Sequence, residues 1–65
     1  MGYKERMSEE CRELEVRTLR LNVFIESDFY AELSPTQQHL MVVQYSIMSS
    51  YIGILKLRMA EDNGD

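Results

Sequence analysis

The sequence predicts an all-α protein: an antiparallel two-helix hairpin that assembles with copies of itself into a homo-oligomeric helical bundle. Three observations carry this expectation. Two long stretches with apolar residues at helical spacing flank a short connection. A helix-start signature, Ser34-Pro35-Thr36-Gln37, opens the second stretch. The chain is only 65 residues long, yet that second stretch is apolar around most of its girth. A lone domain of this size buries little core and usually needs disulfides, a metal or further copies of itself.

The first helix is expected over about 3–27. It contains no proline or glycine and is rich in Glu, Arg and Leu, which are good helix formers. Met7, Leu14 and Leu21 recur every seven residues, as do Cys11, Thr18 and Ile25, and together they make one apolar seam. Glu13 and Arg17 stand at i,i+4 with the acid first, the favourable order on an exposed face. Beyond Arg20 the character changes: Leu19, Leu21, Val23, Phe24 and Ile25 make the last two turns apolar nearly all round. That end needs more than one neighbour.

The connection, 28–34, is unusually apolar for a loop because of Phe29, Tyr30 and Leu33, so it is expected to fold back over that end with a turn of helix. Ser34 can cap the next helix, Pro35 suits its first position and Gln37 completes an S-x-x-Q capping box. The second helix then runs over about 35–60, with Lys56 and Arg58 near its negative end, and residues 61–65 form an acidic tail. Two helices of about 25 residues, each ~38 Å long at 1.5 Å per residue, favour an antiparallel hairpin spanning the single domain 1–65.

Between Leu40 and Met59, 13 of 20 residues are apolar. They form three adjoining rows: Leu40, Ile47, Ile54; Met41, Met48, Leu55; and Tyr45, Ile52, Met59, with Val43 and Leu57 widening the surface. One packing partner covers a stripe of ~100° and leaves the rest polar. The remaining face is small instead of charged: Ser46, Ser49, Ser50 and Gly53. Such residues either let a second backbone approach closely or form a weakly polar solvent face. In the oligomer, the expected interface comprises Leu21, Phe24, Leu40, Ser46, Ile47, Ser50, Gly53 and Ile54.

Several functional classes are disfavoured. Cys11 is the only cysteine and His39 the only histidine, which excludes an intrachain disulfide, suits a reducing cytoplasm and leaves no structural zinc site. No cofactor is expected. The first 20 residues alternate acids and bases, unlike a signal peptide. The most apolar run, Leu40 to Leu55, has 16 residues interrupted by polar ones, short of the ~20 of a membrane span. The net charge of −4 and the interleaving of bases with acids argue against nucleic-acid binding.

No enzyme is expected. Ser46, Ser49 and Ser50 have no histidine one turn away. Glu9, Glu10 and Glu13 alternate with Arg6, Arg12 and Arg17 and read as a solvated, salt-bridged face. His39 reads as a surface or interface residue. A small ligand is better served. Tyr3, Tyr30, Tyr45 and Tyr51 offer flat amphipathic rings, and Arg17, Arg20, Lys56 and Arg58 can reach phosphates where protomers meet. The hairpin brings Lys56 and Arg58 toward Tyr3 and Lys4, giving either an anion pocket or ordinary packing with nearby glutamates. The candidate ligand residues are therefore Tyr3, Lys4, Arg17, Arg20, Tyr45, Tyr51, Lys56 and Arg58.

Tyr3-Lys4-Glu5-Arg6-Met7, Glu13-Leu14, Phe24-Ile25-Glu26-Ser27, Leu33-Ser34, Gln37-Gln38, Leu40, Gln44, Met48, Tyr51, Ile54-Leu55 and Arg58 carry a resemblance that spans almost the whole chain. It resembles short phage and prophage helical-hairpin proteins of generally unassigned function. The resemblance implies a small protein of the bacterial host cytoplasm that acts by stoichiometric binding. One route is that of phage sponge proteins, which sequester nucleotide immune signals, such as a cyclic nucleotide or an ADP-ribose derivative, between protomers. The other is inhibition of a host defence or regulatory protein through the apolar helical surface.

Overall fold

The computed structural model describes residues 2–63, which form three helices: α1 (Tyr3–Ile25), α2 (Asp28–Ala31) and α3 (Pro35–Asn63). No strand occurs among the described residues, so the all-α expectation holds. α3 lies alongside α1. Met59 shares a groove with Lys4, Glu5 and Ser8, so the last turns of α3 sit beside the first turns of α1.

The seam read from α1 is the packed one. Met7, Cys11 and Thr18 are buried, while Leu14, Leu21 and Ile25 are half-buried. Opposite them stands Leu55, fully enclosed at 0% exposure, in a cluster with Met7 and Cys11 against which Leu14, Ile52 and Met59 pack. The hydroxyl of Thr18 donates to the Leu14 carbonyl oxygen at 2.7 Å, which lets a polar side chain sit inside the seam. Of the three apolar rows on α3, Met41–Met48–Leu55 and Tyr45–Ile52–Met59 turn inward, buried or half-buried throughout. Leu40, Ile47 and Ile54 stay exposed.

The helix ends differ from expectation for local reasons. α1 stops at Ile25, two residues before the expected end. There the Ser27 hydroxyl donates to the Phe24 carbonyl at 2.6 Å, the Ser27 amide donates to the same oxygen at 3.0 Å, and the Ser27 backbone turns extended. A side chain that satisfies the last carbonyl substitutes for the next helical turn. The expected turn of helix in the connection is α2, four residues long.

α3 starts at Pro35 as expected, and the Gln37 amide donates to Ser34 Oγ at 3.2 Å, the first half of the capping box. The reciprocal clasp comes from Gln38. Its Nε2 donates to the carbonyls of Tyr30 at 3.0 Å and Leu33 at 3.2 Å, while the Tyr30 hydroxyl donates to the Gln38 carbonyl at 3.0 Å. α2 is thereby tied to the start of α3.

At its other end α3 runs to Asn63, past the expected stop at 60, since residues 61–63 contain neither proline nor glycine. The helices are thus unequal, 23 and 29 residues. Part of the expected tail is helical, and its last two residues, 64 and 65, lie outside the described residues. Lys56 and Arg58 fall inside the helix instead of near its end, and the last turn of α3 carries no base. The run expected to be short for a membrane span is also embedded in a longer helix, which carries no Lys, Arg, Asp or Glu from Pro35 to Leu55. By length and composition alone, Pro35–Glu61 suffices to cross a bilayer, and only 6% of its apolar window is buried.

Leu55→Ala is expected to cost about 2–5 kcal/mol, because it empties a fully enclosed site, whereas Leu19→Ala, at a position 62% exposed, should stay within about 0.5 kcal/mol. Urea titration followed by helical circular dichroism compares the two.

Candidate functional site

Two surfaces carry the charged and aromatic residues that could hold a ligand. The first lies on the outer face of α1, where Arg12, Glu13, Val16, Arg17 and Arg20 line one shallow groove. Helical geometry brings them together: 12, 16 and 20 step by four, while 13 and 17 form the adjoining row. Among the described residues no carboxylate lies within 4 Å of Arg12, Arg17 or Arg20. The expected Glu13–Arg17 pair and the salt-bridged reading of this face are therefore not what the structure forms. Three guanidinium groups are left with their donors toward solvent along one groove, an arrangement suited to a phosphate-bearing ligand.

The second surface is the α1–α3 boundary. The Tyr51 hydroxyl donates to Glu10 Oε1 at 2.7 Å, and Lys56 Nζ lies 3.6 Å from Glu15 Oε2. Both partners of that ion pair are about half exposed, so it contributes little stability, although it marks the register of α3 on α1. It also separates the expected cluster. Lys56 turns to Glu15, well along α1, while Lys4 sits with Glu5, Ser8 and Met59 near the helix start. Tyr3 is exposed at that same end. Arg58 is exposed, and its charge acts on the Tyr51 hydroxyl. Tyr45 is half-buried in the inward row of α3.

Of the expected interface residues, Leu40, Ser46, Ile47, Ser50, Gly53 and Ile54 are exposed, and Leu21 and Phe24 are half-buried. A Cβ built on Gly53 would meet nothing within 4 Å, so nothing inside the protomer requires a glycine there.

Sequence reasoning missed Arg12 as a member of the arginine groove, Glu10 as the acceptor for Tyr51 and Gln38 as the clasp. The four-residue steps from Arg12 through Val16 to Arg20 were legible. The Glu10–Tyr51 contact spans 41 residues and left no local trace.

Two groups titrate away from their ordinary values. The Cys11 thiol is pushed up, first by burial and then by donating to the Glu15 carboxylate at 3.5 Å. Tyr51 is also pushed up, first by its hydrogen bond to Glu10 and then by desolvation. No group of three or more metal-ligating side chains occurs among the described residues.

The family model described as Sequestin matches residues 1–61, and the chain belongs to that family. The family's name is consistent with a small protein that acts by sequestering a molecule. No curated protein and no solved structure significantly matches the chain.

Cys11, 3% exposed and with a raised thiol pKa, should resist a thiol reagent at pH 8 in the native protein and react fully in denaturant, as read by absorbance of the released chromophore. For Tyr51 the raised folded-state pKa means that the neutral phenol is the stabilising form. Its contribution is complete below the ordinary tyrosine value of ~10 and disappears as pH climbs through the folded value. Tyr51→Phe should therefore shrink the loss in urea midpoint between pH 8 and pH 11.

Proposed function

We propose that this chain is a non-catalytic, phage-type accessory protein that counters host defence in the bacterial cytoplasm. In this reading its α1–α3 hairpins assemble as a homo-oligomer, and pockets between protomers sequester a small nucleotide immune signal of the cyclic-nucleotide or ADP-ribose class. The observation that carries the reading is the Arg12–Arg17–Arg20 groove, whose guanidinium groups have no carboxylate within 4 Å among the described residues of a Sequestin-family chain. Phosphates would take the bidentate guanidinium donors. Tyr51 and Arg58 lie on the separate α1–α3 boundary, so those of a neighbouring copy would supply the ring face and further cation for a base. No metal or organic cofactor is needed for such binding.

A second reading rests on the exposed apolar face of α3, where Leu40, Ile47, Ile54 and Leu57 are each more than half exposed. On that reading the protein inhibits a host defence or regulatory protein by covering part of it.

Calorimetric titration with cyclic nucleotides and ADP-ribose derivatives tests the first reading. One ligand class should bind, and Arg17→Glu with Arg20→Glu should weaken it at least ~100-fold, since each lost charge-assisted contact is worth about 1.5–3 kcal/mol. Arg58→Glu should weaken it as well. A panel without binding, together with stoichiometric capture of one host protein, would favour the second reading.

A further inference from the structure

Most exposed apolar residues of α3, Val42 at 45% excepted, follow one helical pattern. Leu40, Val43, Ile47, Ile54 and Leu57 are 53%, 38%, 63%, 52% and 69% exposed. With the exposed Ser50 they step along the helix by three and four residues in turn, which is the a/d spacing of a helix–helix seam. At 100° per residue this seam points nearly opposite to the inward rows of Met41, Met48, Leu55 and Tyr45, Ile52, Met59. α3 therefore carries two seams, one occupied by α1 and one open.

We infer that the open seam is closed by the same seam of a second copy, with the two α3 helices antiparallel and residue numbers of opposing positions summing to about 97. That register sets Leu40 against the partner's Leu57, Val43 against the partner's Ile54 and Ile47 against the partner's Ser50. The inference rests on the homo-oligomer of the proposed function and specifies its pairing.

Three features favour this occupant. The first is self-complementarity. In the antiparallel register every large side chain at the ends meets another, and the large Ile47 meets the small Ser50 near the axis. A parallel pair would instead stack Ser50 on Ser50 in the middle of the seam, leaving a gap between the large side chains on either side.

The second is closeness. Ser46, Gly53 and Ala60 form the row that flanks the seam on one side, and a Cβ on Gly53 touches nothing in its own protomer. Small flanking residues let two helix backbones approach.

The third is extent. With whole side chains of roughly 150–250 Å², the stated exposures plus Tyr51 leave on the order of 600 Å² open per copy, near the ~800 Å² that each partner gives to a standard interface.

Lipid is the competing occupant, because Pro35–Glu61 meets the length and hydropathy of a span. Yet α3 is held to α1 by Leu55 packed among Met7 and Cys11, and α1 carries ten charged residues that immersion of α3 would draw along.

The pairing also completes a site. The opposite flank of the seam bears Gln37, Gln44, Tyr51 and Arg58 at seven-residue spacing. In the antiparallel register the partner's Gln44 comes beside Tyr51 and the partner's Gln37 beside Arg58. Each such rim then joins a phenol, a guanidinium and two carboxamides, donors and acceptors suited to the edge of a nucleobase. Two rims arise per pair by symmetry.

The test combines sedimentation with disulfide trapping. Native protein should sediment as an even multiple of the 7.7 kDa chain. Mixed Leu40→Cys and Leu57→Cys chains, differently tagged, should cross-link 40 to 57 and not 40 to 40. Ile47→Glu should raise the pair's dissociation constant at least 100-fold with helical content retained, and adding Ser50→Lys should restore association.

Cross-linking of 40 to 40 in a protein that still self-associates overturns the register and leaves the homo-oligomer standing. A native particle of 7.7 kDa overturns both. Flotation of the untagged protein with phosphatidylcholine vesicles assigns the seam to lipid and overturns the pairing. The cysteine variants keep the test decisive if Ile47→Glu fails to fold.

Discussion

Leu55 against Met7 and Cys11 is the contact on which the arrangement of this protein depends. These are the three buried apolar side chains among the described residues, and they hold α3 to α1 near the open end of the pair. A core this small places a strict demand on the rest of the chain. Dispersion and apolar burial scale with area, so a protomer with three enclosed apolar side chains has little to set against the entropy of ordering two long helices. What the core lacks is present on the outside of α3, as apolar surface that α1 cannot reach.

The other end is secured by polar means. Ser27 ends α1 by satisfying the Phe24 carbonyl twice, and Tyr30 and Gln38 exchange hydrogen bonds across eight residues. These bonds locate α2 and set where α3 begins. With the entry of α3 fixed there and Leu55 fixed beside Met7, the axial register follows, and Lys56 reaches Glu15 instead of the start of α1. The chain thus uses directional bonds where it has few apolar contacts and apolar contacts where the two helices run together.

That register governs the functional surfaces. Because Glu15 and Glu10 turn toward Lys56 and Tyr51, the acids of α1 that could have answered its arginines are partly engaged on the α3 side. Arg12, Arg17 and Arg20 are left along the opposite groove, which Glu13 also lines, with no carboxylate within 4 Å among the described residues. A net charge of −4 therefore coexists with a cationic strip. The overall charge bears on solubility and nonspecific association, whereas local geometry bears on which anion can be held.

The all-α class, the seam on α1 and the start of α3 at Pro35 were legible in the sequence, because each depends on residues within one or two turns of one another. The four-residue steps behind the arginine groove belong to the same category. The choice among the three apolar rows of α3 was not legible. Hydropathy is nearly uniform around that helix, so only the position of α1 decides that Leu55 is enclosed and Ile54, its neighbour, is half exposed. The Ser27 stop, the Tyr30–Gln38 clasp and the Tyr51–Glu10 and Lys56–Glu15 contacts were equally hidden. Each is a competition among several possible partners, and it is settled by the axial offset of packed helices. By itself the sequence determined how much apolar surface this protein must cover. Tertiary structure alone decided which part of that surface is covered within the protomer, because periodicity sets which residues share a face and packing sets where the face points.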